Sequence, residues 1–211
     1  MEIKVPVDDI ALDGELILPD DATGVVLFAH GSGSSRHSPR NKFVADVIRE
    51  SNLGTLLFDL LTPEEESVDI YTRHLRFDIG MLARRLVAAA TWLKTLQVTS
   101  DLKIGFFGAS TGGAAALVAA AELGNGVAAV VSRGGRPDLA GAALPRVMSP
   151  VLLIVGGLDD VVITLNQQAY AELQCEKEMK IVPGATHLFE EPGTLEAVAE
   201  LAANWFGHYL R

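Results

Sequence analysis

Residues 104–113 read Ile-Gly-Phe-Phe-Gly-Ala-Ser-Thr-Gly-Gly, and this stretch decides the fold. Within it, residues 108–112 match the pattern G-x-S-x-G, which places a serine on a sharp strand-to-helix turn with its hydroxyl exposed. The apolar run before the serine is typical of a buried strand, and the alanine-rich run after it favours a helix that stops at Gly124. Ser110 is therefore a candidate nucleophile, and the alternative is a simple helix N-cap.

A serine nucleophile needs a base, and the base needs an orienting acid. Downstream, an apolar run at 150–155 is followed by Gly-Gly-Leu-Asp-Asp, which puts Asp159 just beyond the end of a predicted strand. A further strand-like run at 179–183 is followed by His187. Because open parallel sheets bind ligands at the carboxyl edge of their strands, we expect Ser110, Asp159 and His187 to lie together there.

Strand-like and helix-like segments alternate along the rest of the chain, which predicts βαβ units and a mostly parallel α/β sheet of about eight strands flanked by helices. The first two strands, joined near Asp8 and Asp9 or by a turn at Asp13-Gly14, should be antiparallel and lie at an edge. We expect one domain over residues 1–211, without a cap domain. Strands are predicted at 2–7, 11–18, 24–29, 55–58 and 127–131, helices at 73–96, 164–173 and from about 194, and a loop at 59–66.

Together these motifs resemble the α/β-hydrolases of the dienelactone hydrolase-like group, along essentially the whole chain. Dienelactone hydrolases proper use a cysteine nucleophile, whereas the sharp strand-to-helix turn of this chain, its nucleophile elbow, carries Ser110. The resemblance implies the α/β-hydrolase fold and a catalytic triad, with a general serine esterase activity expected in place of a dienelactone substrate. The matching segments are His30-Gly31-Ser32-Gly33, Gly108-Ala109-Ser110-Thr111-Gly112, Gly156-Gly157-Leu158-Asp159 and Gly184-Ala185-Thr186-His187.

The resemblance also assigns the triad positions. The family pattern after this strand, Gly-x-x-Asp-x-x-Val, selects Asp159 as the acid, while Asp160 is the alternative and could cap the following segment. Three of the five histidines precede Ser110, and His208 faces outward from the last helix by its spacing, so His187 is the expected base. We expect His30, at the end of a strand, to organise its own loop.

An oxyanion hole needs two backbone donors. The N–H of Thr111 follows the nucleophile at a helix N-terminus and is expected to supply one of them. The other should come from the glycine-containing loop after the strand at 24–29, from Ser32 or alternatively from Gly33. Arg133 follows a strand at the same edge and is a candidate contact for an anionic substrate group, the alternative being an exposed structural arginine.

Composition restricts the partners and the compartment. The net charge of −10 and the pI near 4.9 argue against nucleic acid and anionic membranes as partners. A single cysteine, Cys175, precludes an internal disulfide and suits a reducing compartment. The start of the chain lacks signal-peptide features, so we expect a cytoplasmic protein, monomeric or a homodimer. No metal-ligand cluster or nucleotide motif is evident, and we expect no cofactor.

The sequence thus predicts a serine hydrolase that cleaves small carboxylic esters, with lactones and thioesters as related substrates, through an acyl-enzyme. The same triad would also serve an acyltransferase, a thioesterase or a cofactor-free perhydrolase, since a fold does not determine a function. A non-catalytic binding protein that keeps the fold is a further alternative. The stretch between residues 132 and 150 is too short for a separate lid domain, which predicts an open site and a small substrate.

Overall fold

A sheet of eight strands forms the centre of the structure, a computed structural model that describes residues 1–211. Across the sheet the strand order is β1-β2-β4-β3-β5-β6-β7-β8. The first strand pairs antiparallel with the second, the second antiparallel with the fourth, and all other neighbours are parallel. This confirms the predicted mostly parallel sheet with an antiparallel edge. The strands are β1 (Glu2–Val7), β2 (Ile10–Ile17), β3 (Gly24–Ala29), β4 (Gly54–Phe58), β5 (Lys103–Ala109), β6 (Ala129–Arg133), β7 (Val151–Gly156) and β8 (Lys177–Val182).

Five of the six α-helices pack on the two faces of this sheet, whereas α2 buries only Asp69. Helices α3, α4 and α5 contribute to one large apolar cluster, and α1 and α6 contribute to a second cluster on the other face. Strands β3, β4, β6 and β7 are buried along their whole length, as their continuous apolar runs require when helices pack on both faces. The helices are α1 (Pro39–Arg49), α2 (Pro63–Thr72), α3 (Ile79–Leu93), α4 (Thr111–Leu123), α5 (Asp160–Glu172) and α6 (Thr194–Tyr209).

The region between β4 and α4 differs from the prediction. The helix predicted over residues 73–96 begins only at Ile79, where Asp78 caps it, and α2 forms where a loop was expected. Thr62 and Glu65 form a capping box at the start of α2, which has a proline at its first position and an acidic first turn. Arg73, with a φ of +57°, ends this helix. The Thr-Pro-Glu-Glu sequence carries this helix-start signal, which the prediction of a loop at 59–66 overlooks.

Little chain separates β6 from β7. It forms only a stretch of 3₁₀ turns at Pro137–Arg146, kinked at Gly141, whose Ala140 and Leu144 pack into the core. No cap domain is inserted here, as expected. None of the helices combines the length and the apolar character needed to cross a bilayer.

Candidate active site

A single residue, Ser110, connects β5 to α4. Its φ of +51° and ψ of −121° are strained for a residue with a side chain, as is typical where a fold holds a functional group in place. The flanking glycines make the turn possible, because a Cβ at Gly108 would lie 2.4 Å from the oxygen of Gly112. A Cβ at Gly112 would lie 2.1 Å from the oxygen of Ala29 on β3.

The backbone of Ser110 is held by the neighbouring loop. Its N–H donates to the carbonyl oxygen of Arg133, with 3.3 Å between nitrogen and oxygen. Its own carbonyl oxygen accepts from the N–H groups of Gly113 (3.0 Å) and Arg136 (3.1 Å). Together these contacts anchor the turn to the end of β6.

Asp159 and His187 meet at the same edge of the sheet. Oδ2 of Asp159 lies 2.7 Å from Nδ1 of His187, and the carboxylate is mostly shielded from solvent. Although Asp159 occupies the N-cap position of α5, its side chain makes no capping hydrogen bond and reaches the imidazole instead. The alternative acid, Asp160, is the first residue of α5 and is exposed. The structure thus brings Asp159, and not Asp160, to the histidine.

The loop that carries His187 is braced from two sides. The carboxylate of Glu191 accepts hydrogen bonds from the hydroxyl of Thr186 at 2.6 Å and from its N–H at 3.1 Å. These bonds lower the pKa of Glu191. Two residues past the histidine, Phe189 has a φ of +56° and a fully buried ring that anchors the loop in the core. Sequence reasoning missed Glu191, because nothing in the local pattern predicts its contact with Thr186.

Ser110 and His187 line one cleft of about 260 Å³ at the carboxyl edge of the sheet. The hydroxyl of Ser110 makes no hydrogen bond to the imidazole in the structure. Catalytic hydrogen bonds of this kind are often long or misaligned in the absence of substrate. The cleft is also lined by Ser32, Arg40, Asn41 and Arg133.

The loop after β3 approaches the elbow through Ser32. Its N–H donates to Oγ1 of Thr111 at 3.1 Å, and Thr111 itself is buried at the start of α4. At a helix start the first N–H groups have no intrahelical acceptor, which leaves the N–H of Thr111 suited to an anion. Gly33, the alternative donor, has a φ of +73°. The N–H of Ser32 is therefore already engaged by the hydroxyl of Thr111.

His30 braces this loop, in line with the expectation. Its Nε2 accepts from the N–H of Leu60 at 3.0 Å, so its Nδ1 carries the proton and donates to the carbonyl oxygen of Gly31 at 3.0 Å. Burial lowers the pKa of His30, which keeps the ring neutral. It ties the loop after β3 to the end of β4.

Arg133 is the last residue of β6 and is 7% exposed, so the alternative of an exposed loop arginine is wrong. Its Nε and Nη1 are buried and have no acceptor among the protein's own groups. The guanidinium carbon lies 5.8 Å from the centre of the Phe189 ring, within range of a cation–π contact. Burial first, and then the positive charge of Arg40, lower the pKa of Arg133 to about 10, so it is still a cation at neutral pH.

Comparison of the sequence with models of protein families identifies the family. The model described as the dienelactone hydrolase family matches residues 61–210, which include the elbow, the acid and the histidine. The chain belongs to the dienelactone hydrolase family. Family and fold together support a hydrolase activity.

Solved structures of other proteins resemble the structure of this family member. A crystal structure of dienelactone hydrolase from Anabaena variabilis is 61% identical, has a TM-score of 0.98, and the match covers 100% of this chain and 98% of that one. Est1E from Butyrivibrio proteoclasticus is 16% identical with a TM-score of 0.81, over 99% of this chain and 98% of that one. At that identity the likeness to Est1E shows the fold alone.

Curated relatives carry a different kind of name. Proteins from two strains of Mycobacterium tuberculosis, provisionally named phosphoribosyl transferases, are 55% identical to this chain over 209 residues. The match covers 99% of this chain and 46% of each relative. This dienelactone hydrolase family chain thus spans about half the length of the curated relatives it matches.

Proposed function

We propose that the protein is a serine hydrolase that cleaves small carboxylic esters through an acyl-enzyme intermediate. The observation that carries the proposal is the arrangement of three side chains. Ser110, on a strained elbow, faces the same cleft as His187, and Asp159 lies 2.7 Å from the far nitrogen of that imidazole. Nucleophile, base and orienting acid in this order are the elements of an acyl-transfer site.

In the first half of the reaction, Oγ of Ser110 forms a bond to the ester carbonyl carbon while its proton passes to Nε2 of His187. The tetrahedral intermediate then collapses, the bond to the alcohol oxygen breaks, and His187 gives its proton to the departing alcohol. In the second half a water molecule attacks the acyl-enzyme with His187 as base. The acid is released and Ser110 regains its proton.

Asp159 has a positioning role in this scheme. Its carboxylate accepts a hydrogen bond from the Nδ1–H of His187, which leaves Nε2 unprotonated and able to act as the base. It also stabilises the imidazolium that forms after the first proton transfer, without taking the proton itself.

The developing oxyanion would be held by the N–H of Thr111 and by a donor from the loop after β3. If that donor is Ser32, its N–H must turn from the hydroxyl of Thr111, or be shared with it, when the intermediate forms. The loss of one such donor typically costs about 10²- to 10³-fold in turnover. The alternative donor in this proposal is Gly33.

We place this activity in a single domain over residues 1–211, with a cleft that lacks a cap domain and takes small substrates. The name phosphoribosyl transferase belongs to the longer relatives, of which this chain covers about half. A panel of matched esters, thioesters and lactones tests the proposal. We expect the ester to have the highest kcat/KM and Ser110→Ala to lose turnover of all three, whereas a thioester preference or an active Ser110→Ala variant would contradict it.

A further inference from the structure

The most unusual charged group in the cleft is Arg133. The residue is 7% exposed, and its guanidinium forms no ion pair and leaves two nitrogens without a protein acceptor. Burying a cation without a counter-charge is costly, and the aromatic contact with Phe189 offsets only part of that cost. A buried, unpaired arginine beside a nucleophile is therefore a candidate for pairing with an anionic ligand.

A second guanidinium reaches the same cleft from α1. Arg40 lines the cleft, and its positive charge is close enough to Arg133 to contribute to the lowered pKa of that residue. Nη1 of Arg40 pairs with the exposed carboxylate of Glu190 at 3.2 Å, while its Nε is buried without an acceptor. Two arginines against one rim carboxylate leave this part of the surface positive, in a chain whose net charge is −10.

The start of α1 adds further donors. Ser38 caps this 11-residue helix and lines the cleft together with Asn41. Asn41 is 3% exposed, its amide oxygen is buried without a partner, and its amide nitrogen donates no hydrogen bond within the protein. The amide nitrogen is therefore free to donate a hydrogen bond to a ligand in the cleft that this residue lines. The positive end of the helix dipole favours an anion at the same place.

We propose that this part of the cleft binds a phosphate group carried by the substrate, with Arg133 and Arg40 as its main contacts. The donors come from two elements, the end of β6 and the first turn of α1, and include two guanidinium cations, which supply two positive charges for one ligand. This suits a tetrahedral phosphate, with three free oxygens and up to two charges, better than a planar carboxylate. The inference rests on the proposed hydrolase function: Ser110 would break an ester bond elsewhere in the same molecule and leave the phosphate unchanged.

Direct binding of inorganic phosphate tests the site without any turnover. We expect isothermal titration at constant ionic strength to show phosphate binding to the wild type. Arg133→Met and Arg40→Met should each weaken it about tenfold or more, as expected for the loss of a charged hydrogen-bonding group. The matched control is Arg136→Met, because Arg136 lies three residues after Arg133 but is already paired with Asp138. Its affinity for phosphate should equal that of the wild type.

Folding is checked by circular dichroism and thermal unfolding. Since Arg133 is buried, Arg40→Met provides a partly exposed second variant, and Arg133→Lys should recover part of the lost affinity by restoring a cation. The absence of phosphate binding to the wild type, or equal binding by the folded Met variants, would overturn the proposal.

Substrate preference provides the second test. We expect kcat/KM of the wild type to be higher for 4-nitrophenyl 3-phosphonopropionate than for the neutral butyrate ester and the hydrogen succinate ester. In Arg133→Met, the ratio of phosphonate to butyrate turnover should fall by about tenfold or more. A preference for the succinate ester, or no preference for either anion, would overturn the phosphate assignment.

The two proposals can fail separately. If no ester is hydrolysed while phosphate still binds in an Arg133-dependent manner, the anion site stands and the hydrolase function is wrong. If butyrate is hydrolysed through Ser110 but phosphate does not bind, the hydrolase function stands and the anion site is wrong.

Discussion

At the residue scale, the contact between Asp159 and His187 defines which of two adjacent acids acts in the proposed mechanism. Asp159→Asn keeps the shape of the side chain but replaces a carboxylate oxygen with an NH₂ donor. This favours the imidazole tautomer that carries its proton on Nε2, which cannot act as the base. We expect kcat to fall on the order of 10⁴-fold. Asp160→Asn is the matched control, because Asp160 is exposed on α5, and its kcat should stay close to that of the wild type. Comparable losses in the two variants, measured with one ester, would contradict the assignment.

A second residue-scale prediction concerns Glu191, which holds the loop of His187 through both polar groups of Thr186. Glu191→Ala frees these groups and allows the imidazole to move, so we expect kcat to fall about 10- to 100-fold with a smaller change in KM. Glu196→Ala, a nearby exposed glutamate on α6, is the control. A change confined to KM, or a loss equal to that of the control, would show that Glu191 does not position the histidine.

At the scale of elements, the carboxylate of Glu65 both caps α2 and joins it to α3. Glu65 accepts the N–H of Thr62 at 2.8 Å and pairs with the buried Arg85 of α3, with nitrogen–oxygen distances of 2.5 and 2.7 Å. The hydrogen bonds from Arg85 lower the pKa of Glu65. Since the folded pKa lies below the unfolded one, near 4.3, this stabilisation is present above that pH and is lost as pH falls through the folded value.

We therefore expect Glu65→Gln to reduce the free energy of unfolding at pH 7 by about 1 to 3 kcal/mol, because Arg85 loses its charged partner. At pH 3 the difference from the wild type should be smaller. Urea unfolding at the two pH values measures both quantities. The exposed Glu64→Gln, in the same helical turn, should change stability by only a few tenths of a kcal/mol. An equal penalty for Glu65→Gln at pH 3 and pH 7 would rule out the ion pair as its cause.

The elements also show what the sequence could and could not predict. Strand β3 and the start of α6 were predicted at the residues where they occur, because a continuous apolar run and a clear helical stripe have one interpretation. The burial of Arg133 was not predicted, since β6 lies two residues further along than its apolar run suggests. The contact between Ser32 and Thr111 joins residues 79 positions apart, and local pattern contains no information about such pairs.

For the whole molecule, the sheet edge determines how much substrate can be covered. Only the 3₁₀ turns at Pro137–Arg146 occupy the place where a cap would be inserted, so a long acyl chain would remain mostly exposed. It would therefore gain little of the binding free energy that burial of apolar surface provides, which is roughly 25 cal/mol per Å². Acetyl and butyryl esters should therefore have higher kcat/KM than decanoyl esters, measured below micelle-forming concentrations. A steady rise in efficiency up to long chains would reveal a buried acyl site that this account does not contain.

The central claim is that Ser110 is a nucleophile activated by His187, and covalent labelling tests it most directly. The folded protein is treated with a fluorophosphonate, and the modified peptide is identified by mass spectrometry, with heat-unfolded protein as the control for nonspecific reaction. The account predicts one adduct on Ser110 of the wild type, none on Ser110→Ala, and a labelling rate reduced by orders of magnitude in His187→Ala. Labelling of another residue, or a folded wild-type protein that does not react, would contradict it.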